Sequence, residues 1–584
     1  MERRTFLKIL SSAGIVSLVS PTFAMGVCKN KVSKSSSALL ESAFLNPPFS
    51  SGVYTWWHWM NGNITKDGIT RDLEAMKANG IAGYQLFEAG SGIPIGPVES
   101  LSDEWVDLIL HTLKESERLG LEFAMHNCPG WSSSGGPWIT PDKAMQIITW
   151  SETKVTGGKQ VRIQLPTPKH MFDYYIDTYC LAIPANMKVI PRLSILELSN
   201  RLDKGGVLTW DVPAGEWLIM RFGQTAKDQK NKSAPSKSTG LDCDKFSTEA
   251  LDYHLNCMFK RLMPAMEKIA KHSKIGLLID SYETGDQDWT SDMPAYFEQN
   301  HGYALYPFLP VLANKIIESE ESTKRFKYDF RRTRADMFAE RYYGHFQKRC
   351  KEKGIITYTE PYGGNMMEEL QVAQQLDINM GEFWCGQTVL WANYKYNRTV
   401  KQVASISHTL GGKIVGAEAF TSEPDADKWL LYPYALKSLG DYMFTRGLNR
   451  IYFHRFAHQP HPTAAPGMTM GAWGLHFDRT NTWWKPGKAW IDYLNRCQYI
   501  FQSSTFYGDI LYHNGDDSFG STIEPEQTPL SPPEGYDYDM VNTEMLDKAH
   551  IKDGKILLPA TRFDGYKLLV LLKSETMSLH TLRT

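Results

Sequence analysis

The chain lacks an excess of either charge. Across 584 residues, 63 Lys and Arg meet 65 Asp and Glu, for a formal net charge of −2 at pH 7. Without a basic field it offers no footprint for nucleic acid or an anionic membrane surface. Past the N-terminus it lacks any run of the roughly 18 apolar residues that a membrane helix needs, so no transmembrane segment is expected. Its eight cysteines include no Cys-x-x-Cys pair and no other metal spacing, which argues against structural zinc. They are expected to be mostly free, buried thiols. What remains is an ordinary globular composition, 42% hydrophobic and 22% charged, too long for one simple core and expected to form two or three domains.

The first residues read as a leader. Arg3 and Arg4 precede a short apolar stretch from Ile9 to Val19, and Thr22-Phe23-Ala24 ends in a small residue suited to cleavage. Residues 1–24 are therefore expected to be a twin-arginine-like export signal, placing the mature chain in a bacterial periplasm or at the cell surface. "AMGVC", ending at Cys28, is a poor match to a lipid-attachment box. Residues 25–50, rich in Ser, Lys and Pro, are expected to be a tether.

From residue 53 a pattern recurs eight times: an apolar or β-branched run, a polar residue at its end, then a helix. The runs are "VYTWWHW" near His58, "GYQLFE" to Glu88, "LEFAMHN" to His126 and Asn127, and "GLLIDSYE" to Glu283. They continue with "IITYTE" to Glu360, "DINMGE" to Glu382, "KIVGAE" to Glu418 and "RIYFHR" at His454 and Arg455. Between them, Val106, Ile109, Leu110 and Leu113 keep helical spacing, with Ser102 as N-cap and Gly120 as stop. Leu255, Met258, Phe259 and Leu262 repeat it, as do Ala335, Phe338, Ala339 and Tyr342. Strands alternating with helices require a parallel sheet, and eight repeats close most simply into a (β/α)8 barrel. The expected barrel covers 51–144 and 246–503. Alternation in "QVRIQL" and "WLIMRFG" makes 145–245 an inserted antiparallel β module, and its polar end, 227–240, a loop near the rim. "KILLPA" and "YKLLVLL" suggest that 504–584 is an incomplete α/β domain, as in a truncated product.

In such barrels the carboxyl ends of all strands meet on one face, where chemistry occurs. Crowding like charges on one rim costs stability, so four or five glutamates there imply a function, a metal or both. A pair of carboxyls suits glycosidic bond cleavage, one as acid for the leaving oxygen and one as base or nucleophile opposite. Glu283 on strand four is read as general acid and Glu418 on strand seven as the base that activates water. Glu360 and Glu382, between them, are the alternates and could hold a hard cation such as Ca2+. Asp280 is placed facing the barrel interior. His58, Trp57, Asn61, His126, Asn127 and Trp131 are candidate sugar contacts, combining an apolar platform with fixed polar groups, and Glu88 and His454 join them at the rim. Pro460 and Pro462 spoil a zinc-like set of His454, His458 and His461. "GSGIPIG" (90–96) has the wrong spacing for a dinucleotide loop. "EPDAD" (423–427) reads as a solvated loop before a Ca2+ site.

The motifs "WWHWMNGNIT", "GITRDLEAMKANGIAGYQLFE", "MHNCPGWSSSGGPWI", "LLIDSYETGDQDWT" and "GAEAFTS" resemble those of the inverting α-L-rhamnosidases of glycoside hydrolase family 106, over most of residues 50–500. The resemblance implies a barrel, terminal α-L-rhamnose on an oligosaccharide or polysaccharide as substrate, inversion, and a calcium ion contacting sugar hydroxyls. By motif position it puts the acid on Glu283 and the base on Glu418. The family's chains run longer, with further β domains after the barrel. Two other readings stay open: a retaining, β-galactosidase-like barrel, against which stands Tyr282 where those enzymes carry Asn before the glutamate, and a truncated sugar-binding chain without turnover.

Overall fold

Eight segments rich in aromatic and β-branched residues lie parallel: β1 (Tyr54–Met60), β2 (Gly83–Ala89), β3 (Glu122–His126), β4 (Ile275–Ile279), β5 (Ile356–Thr359), β6 (Ile378–Cys385), β7 (Val415–Ser422) and β8 (Arg450–Ala457). Each pairs with its neighbours in sequence, and β8 pairs with β1, Tyr452 opposite Tyr54, so the sheet closes into the expected barrel. This computed structural model describes residues 34–584 except 91, 132–133, 271–273, 386–393, 423–428, 472–473, 517–518, 520 and 573–575, with the backbone alone at 34–39 and 394–397. The leader, Cys28 and residues 423–427 lie outside the described residues. No helix among those described is long and apolar enough to cross a membrane.

The helix after β2 begins and ends at its capping residues. Ser102 accepts a hydrogen bond from the Trp105 amide, 3.1 Å, to open the helix Asp103–Leu119, and Gly120 closes it at φ +65°. That left-handed turn costs glycine little and other residues more. Leu108, Ile109 and Leu113 on this helix are buried in the main core, between strands and helices. None of the seven described cysteines forms a disulfide.

Some boundaries differ from those read in the sequence. β4 ends at Ile279 and β5 at Thr359, so Glu283 and Glu360 sit on the loops that follow, whereas β6 runs three residues past Glu382. Within the supposed tether, residues Lys34–Leu45 form a helix lying against the last barrel helix, Trp484–Ser503; its "SALLESAFL" carries enough apolar residues to dock. Between β3 and β4, strands Gln146–Thr156, Glu216–Ala226, Ile176–Pro184 and Leu196–Glu197 form an antiparallel sheet, and Lys159–Gln164 pairs with Val207–Val212. They share a separate core of Cys180, Leu208, Trp210 and Ile219. After the barrel, Ile510–His513 lies between Tyr538–Val541 and Leu568–Leu571 in a parallel sheet. Its core includes Leu370 and Ile406 of barrel helices.

Candidate active site

A cavity of about 870 Å3 opens at the carboxyl ends of the strands. Strand alternation decides what enters it. On β1, Trp56 and His58 line the cavity. Trp57, one position away, therefore faces the helices; it is fully buried and its indole donates to Asp72 Oδ2 at 3.3 Å. The structure thus puts Trp56, and not the expected Trp57, on the cavity wall, because neighbours on one strand face opposite ways. The same rule moves Glu88. Phe87 points inward, stacking on Trp56 at 4.4 Å and His126 at 5.0 Å, which turns Glu88 outward to accept a hydrogen bond from Ser100.

Three more of the expected contacts lie off the cavity wall and bond to the protein itself. Asn61 donates to the Ile93 carbonyl at 2.5 Å and accepts from the Ser236 amide at 3.1 Å. Asn127 donates to the Leu278 carbonyl at 2.8 Å and accepts from Ser134 at 2.5 Å. Each amide thus has one donor and one acceptor position taken by the protein, which fixes its orientation. His126 lies beneath the floor, bonded to the Cys128 carbonyl at 2.8 Å and accepting the Asp280 amide at 3.4 Å. None of the three is part of the cavity wall.

Burial of Glu88 among apolar neighbours pushes its carboxyl up to about 7. A carboxyl raised on folding takes up a proton, so its contribution to stability is full below pH 4.5 and is lost as pH rises through 7. Glu88→Gln should therefore leave turnover unchanged, nearly match the parent's unfolding free energy at pH 5 and exceed it at pH 8 by on the order of 1–3 kcal/mol, as read from denaturant titrations at the two pH values. A large loss of turnover would return Glu88 to the list of substrate contacts.

The remaining candidates converge. Asp280, Glu283, Glu382, Glu418, His58, His454 and Trp131 all line the cavity. Glu382 and Glu418 are register partners on β6 and β7, a placement of like charges side by side that destabilises a sheet. Burial and then the neighbouring carboxylates, Glu382 first, hold Glu418 well above the usual range, against a hydrogen bond from Thr421. Burial puts Glu382 at about 7 despite its bond from the Trp384 indole. Burial, Asp280 and Glu418 raise Glu360, just below the cavity, where Tyr362 donates to its Oε2 at 2.6 Å. Glu360 Oε1 has no hydrogen-bond partner among the described residues, and burial pushes its neighbour Asp280 well above the usual carboxylate range as well.

Irregular backbone aims several of these groups. In β8 two residues, His454 and Arg455, stand opposite the single Trp56 of β1, and this bulge turns His454 inward to 3.5 Å from Glu418 Oε1. Bulges commonly re-aim a side chain beside an active site. Gly474 makes the turn possible, since a Cβ there would lie 2.7 Å from His454 Nδ1. Burial and Arg455 keep the His454 imidazole neutral by lowering it well below its ordinary value. In β7 the extra residue is Phe420, at φ +62°, which places Thr421 over Glu418.

Glu283 differs from the buried acids. It is 38% exposed and pairs with Lys232 Nζ, while Trp131 Nε1 donates to the same oxygen, Oε2, at 3.2 Å. Arg398 lines the opposite wall, gripped by Glu369 at 2.5 and 2.9 Å. Thr522, from the C-terminal unit, gives Glu369 two more bonds at 2.8 Å, and Ser521 beside it reaches the cavity. Trp56 was findable from alternation; Lys232, Tyr362, Arg398 and Ser521 arrive by tertiary folding and carry no local signal. Two carboxyls across a cleft with aromatic walls can protonate a leaving oxygen and activate water.

A model of the alpha-L-rhamnosidase family, glycoside hydrolase family 106, matches residues 45–178 and 169–584. A protein of Formosa agariphila, provisionally named a beta-glucuronidase, is 39% identical over 575 residues, 93% of this chain and 48% of that protein. The chain thus spans about half the length of the curated relative it matches. The solved rhamnosidase of Novosphingobium sp. PP1Y superposes with a TM-score of 0.84 at 24% identity, over 93% of this chain and 68% of the other.

Proposed function

The chain belongs to glycoside hydrolase family 106, the alpha-L-rhamnosidase family, and on that premise we propose that it is an exported exo-α-L-rhamnosidase that removes terminal L-rhamnose from glycans with inversion. Glu283 acts as general acid and Glu418 as the base that directs water to the anomeric carbon. Supporting this reading is one observation above all: Glu283 and Glu418, 135 positions apart in the chain (283 to 418), face a single cavity on the catalytic rim. In the reaction, water attacks the anomeric carbon and gives its proton to Glu418. The glycosidic C–O bond breaks and the leaving oxygen takes the proton of Glu283.

The electrostatics of the pocket favour rhamnose over glucuronate. Asp280, Glu382 and Glu418, with Glu360 beneath, already oppose one another's ionisation, so a sugar carboxylate would add to a crowded set, and Arg398 is already paired with Glu369. Rhamnose is uncharged, and its C6 methyl suits walls of Trp56, Trp131 and Met470. An assay comparing nitrophenyl α-L-rhamnoside with nitrophenyl β-D-glucuronide tests this, with NMR of the first-formed sugar. Rhamnose released first as the β-anomer supports the reading; faster release of glucuronate, or rhamnose appearing first as the α-anomer, would overturn it.

The carboxyl cluster also fits a hard cation. Glu360 and Glu382 supply oxygen donors of the right kind, and the donorless Glu360 Oε1 is the sort of buried atom a cation satisfies. No three acidic, His or Cys side chains among the described residues converge as a metal site, so sugar hydroxyls and water would complete the shell. Calcium held there would balance the crowded charge and fix those hydroxyls. A chelator should lower kcat/KM at least tenfold, with recovery on adding Ca2+ and no recovery in Glu360→Gln; activity indifferent to chelation removes the cation from the reading.

One observation favours a reversed assignment. Glu418 is buried and holds its proton to unusually high pH, as an acid must, whereas Glu283 is exposed and paired with an ammonium. The leaving-group dependence of the two Gln variants, argued below, separates the assignments.

A further inference from the structure

The loop that carries Lys232 belongs to the inserted β module, yet it forms part of the cavity wall. Backbone and side-chain bonds stitch it to the barrel. Trp131 N donates to the Lys232 carbonyl at 3.1 Å and Gly90 N to the Ser233 carbonyl at 2.8 Å. Asn231 Nδ2 reaches the Pro129 carbonyl at 3.0 Å, and Asn61 Oδ1 takes the Ser236 amide at 3.1 Å. The approach is so close that a Cβ on Gly130 would lie 2.2 Å from the Lys232 carbonyl oxygen. Other lysines of this loop are turned elsewhere: Lys227 Nζ donates to the Asp286 carbonyl at 2.5 Å and Lys237 pairs with Glu99 at 3.0 Å.

We propose that Lys232 is a positioning residue for the general acid, supplied by the inserted module: with Trp131 it holds Glu283 by one oxygen and stabilises the carboxylate left when the proton departs. This rests on the assignment of Glu283 as acid. Two donors on Oε2 fix the plane of the carboxyl group and leave Oε1 to carry the proton toward the leaving oxygen. As the proton moves, negative charge grows on Glu283 beside an ammonium already in place, an interaction stronger in the transition state than in the ground state. Glu382, Asp280 and Glu418, all bearing on Glu283 from across the cavity, oppose that charge; Lys232 offsets them.

The test uses leaving groups of two kinds. A rhamnosyl disaccharide has a poor leaving group that must be protonated, whereas dinitrophenyl α-L-rhamnoside departs without an acid. Lys232→Met should lower kcat on the disaccharide ten- to a hundredfold, with KM changed little and less than threefold loss on the dinitrophenyl substrate. Lys232→Arg should restore most of the lost rate. Equal losses on both substrates, or no loss on either, would overturn the proposal. If Glu283→Gln itself showed no preference between substrates, the acid assignment would fail instead, and the two failures are thereby distinguished.

Discussion

Glu418→Gln is expected to reduce rhamnose release by ~10^2–10^4-fold whatever the leaving group. An amide cannot take the proton of the attacking water, and every substrate, activated or not, needs that water. The amide keeps the size of the side chain and can still accept from Thr421, so the barrel should remain folded. It also leaves nothing to ionise beside Glu382, the register partner whose charge opposes that of Glu418; the variant should melt no lower than the parent. Azide, already anionic, needs no base. Added azide should return activity to Glu418→Gln with a β-rhamnosyl azide as product, the configuration that attack from the face opposite the leaving group dictates. A Glu418→Gln protein that turned over at the parent's rate without azide would remove Glu418 from the reaction.

Glu283→Gln should behave differently. Its loss, again ~10^2–10^4-fold, should appear on disaccharides and shrink to a few-fold on dinitrophenyl rhamnoside, whose leaving group is stable as an anion. Azide should not help, since the missing proton is on the other side of the bond. If instead Glu418→Gln showed leaving-group selectivity and Glu283→Gln answered to azide, the two roles would be exchanged, as the deep burial of Glu418 favours. Measuring both variants against both substrates, with and without azide, decides the matter.

The barrel was legible because its signal is local and repeated. Each strand announces itself by composition, each helix by spacing, and caps such as Ser102 and Gly120 mark their own positions. The rim carboxylates were legible for the same reason, since they end those strands or follow them closely. Side-chain direction is less plain, because two local patterns compete for the same residues. Trp57 and His58 are adjacent on β1, so only one can face inward, and with His58 inward alternation brings Trp56 in with it. Asn61 and Asn127 stand beside the rim, and nothing in their types says that other groups of the protein bond both the nitrogen and the oxygen of each amide. Lys232, Arg398 and Ser521 come from the inserted module, a barrel helix and the C-terminal unit. Their convergence depends on tertiary packing that composition and period do not encode.

The bond from Thr522 to Glu369 carries a practical consequence. Glu369 keeps Arg398 in place, and the Arg398 guanidinium tempers Glu382 across the pocket. The terminal sheet, remote in sequence, is in this way wired into the charge balance of the barrel. Trimming the molecule after its last barrel helix would spare every carboxylate on the rim and still detune them, because the arginine's anchor would lose two of its own supports.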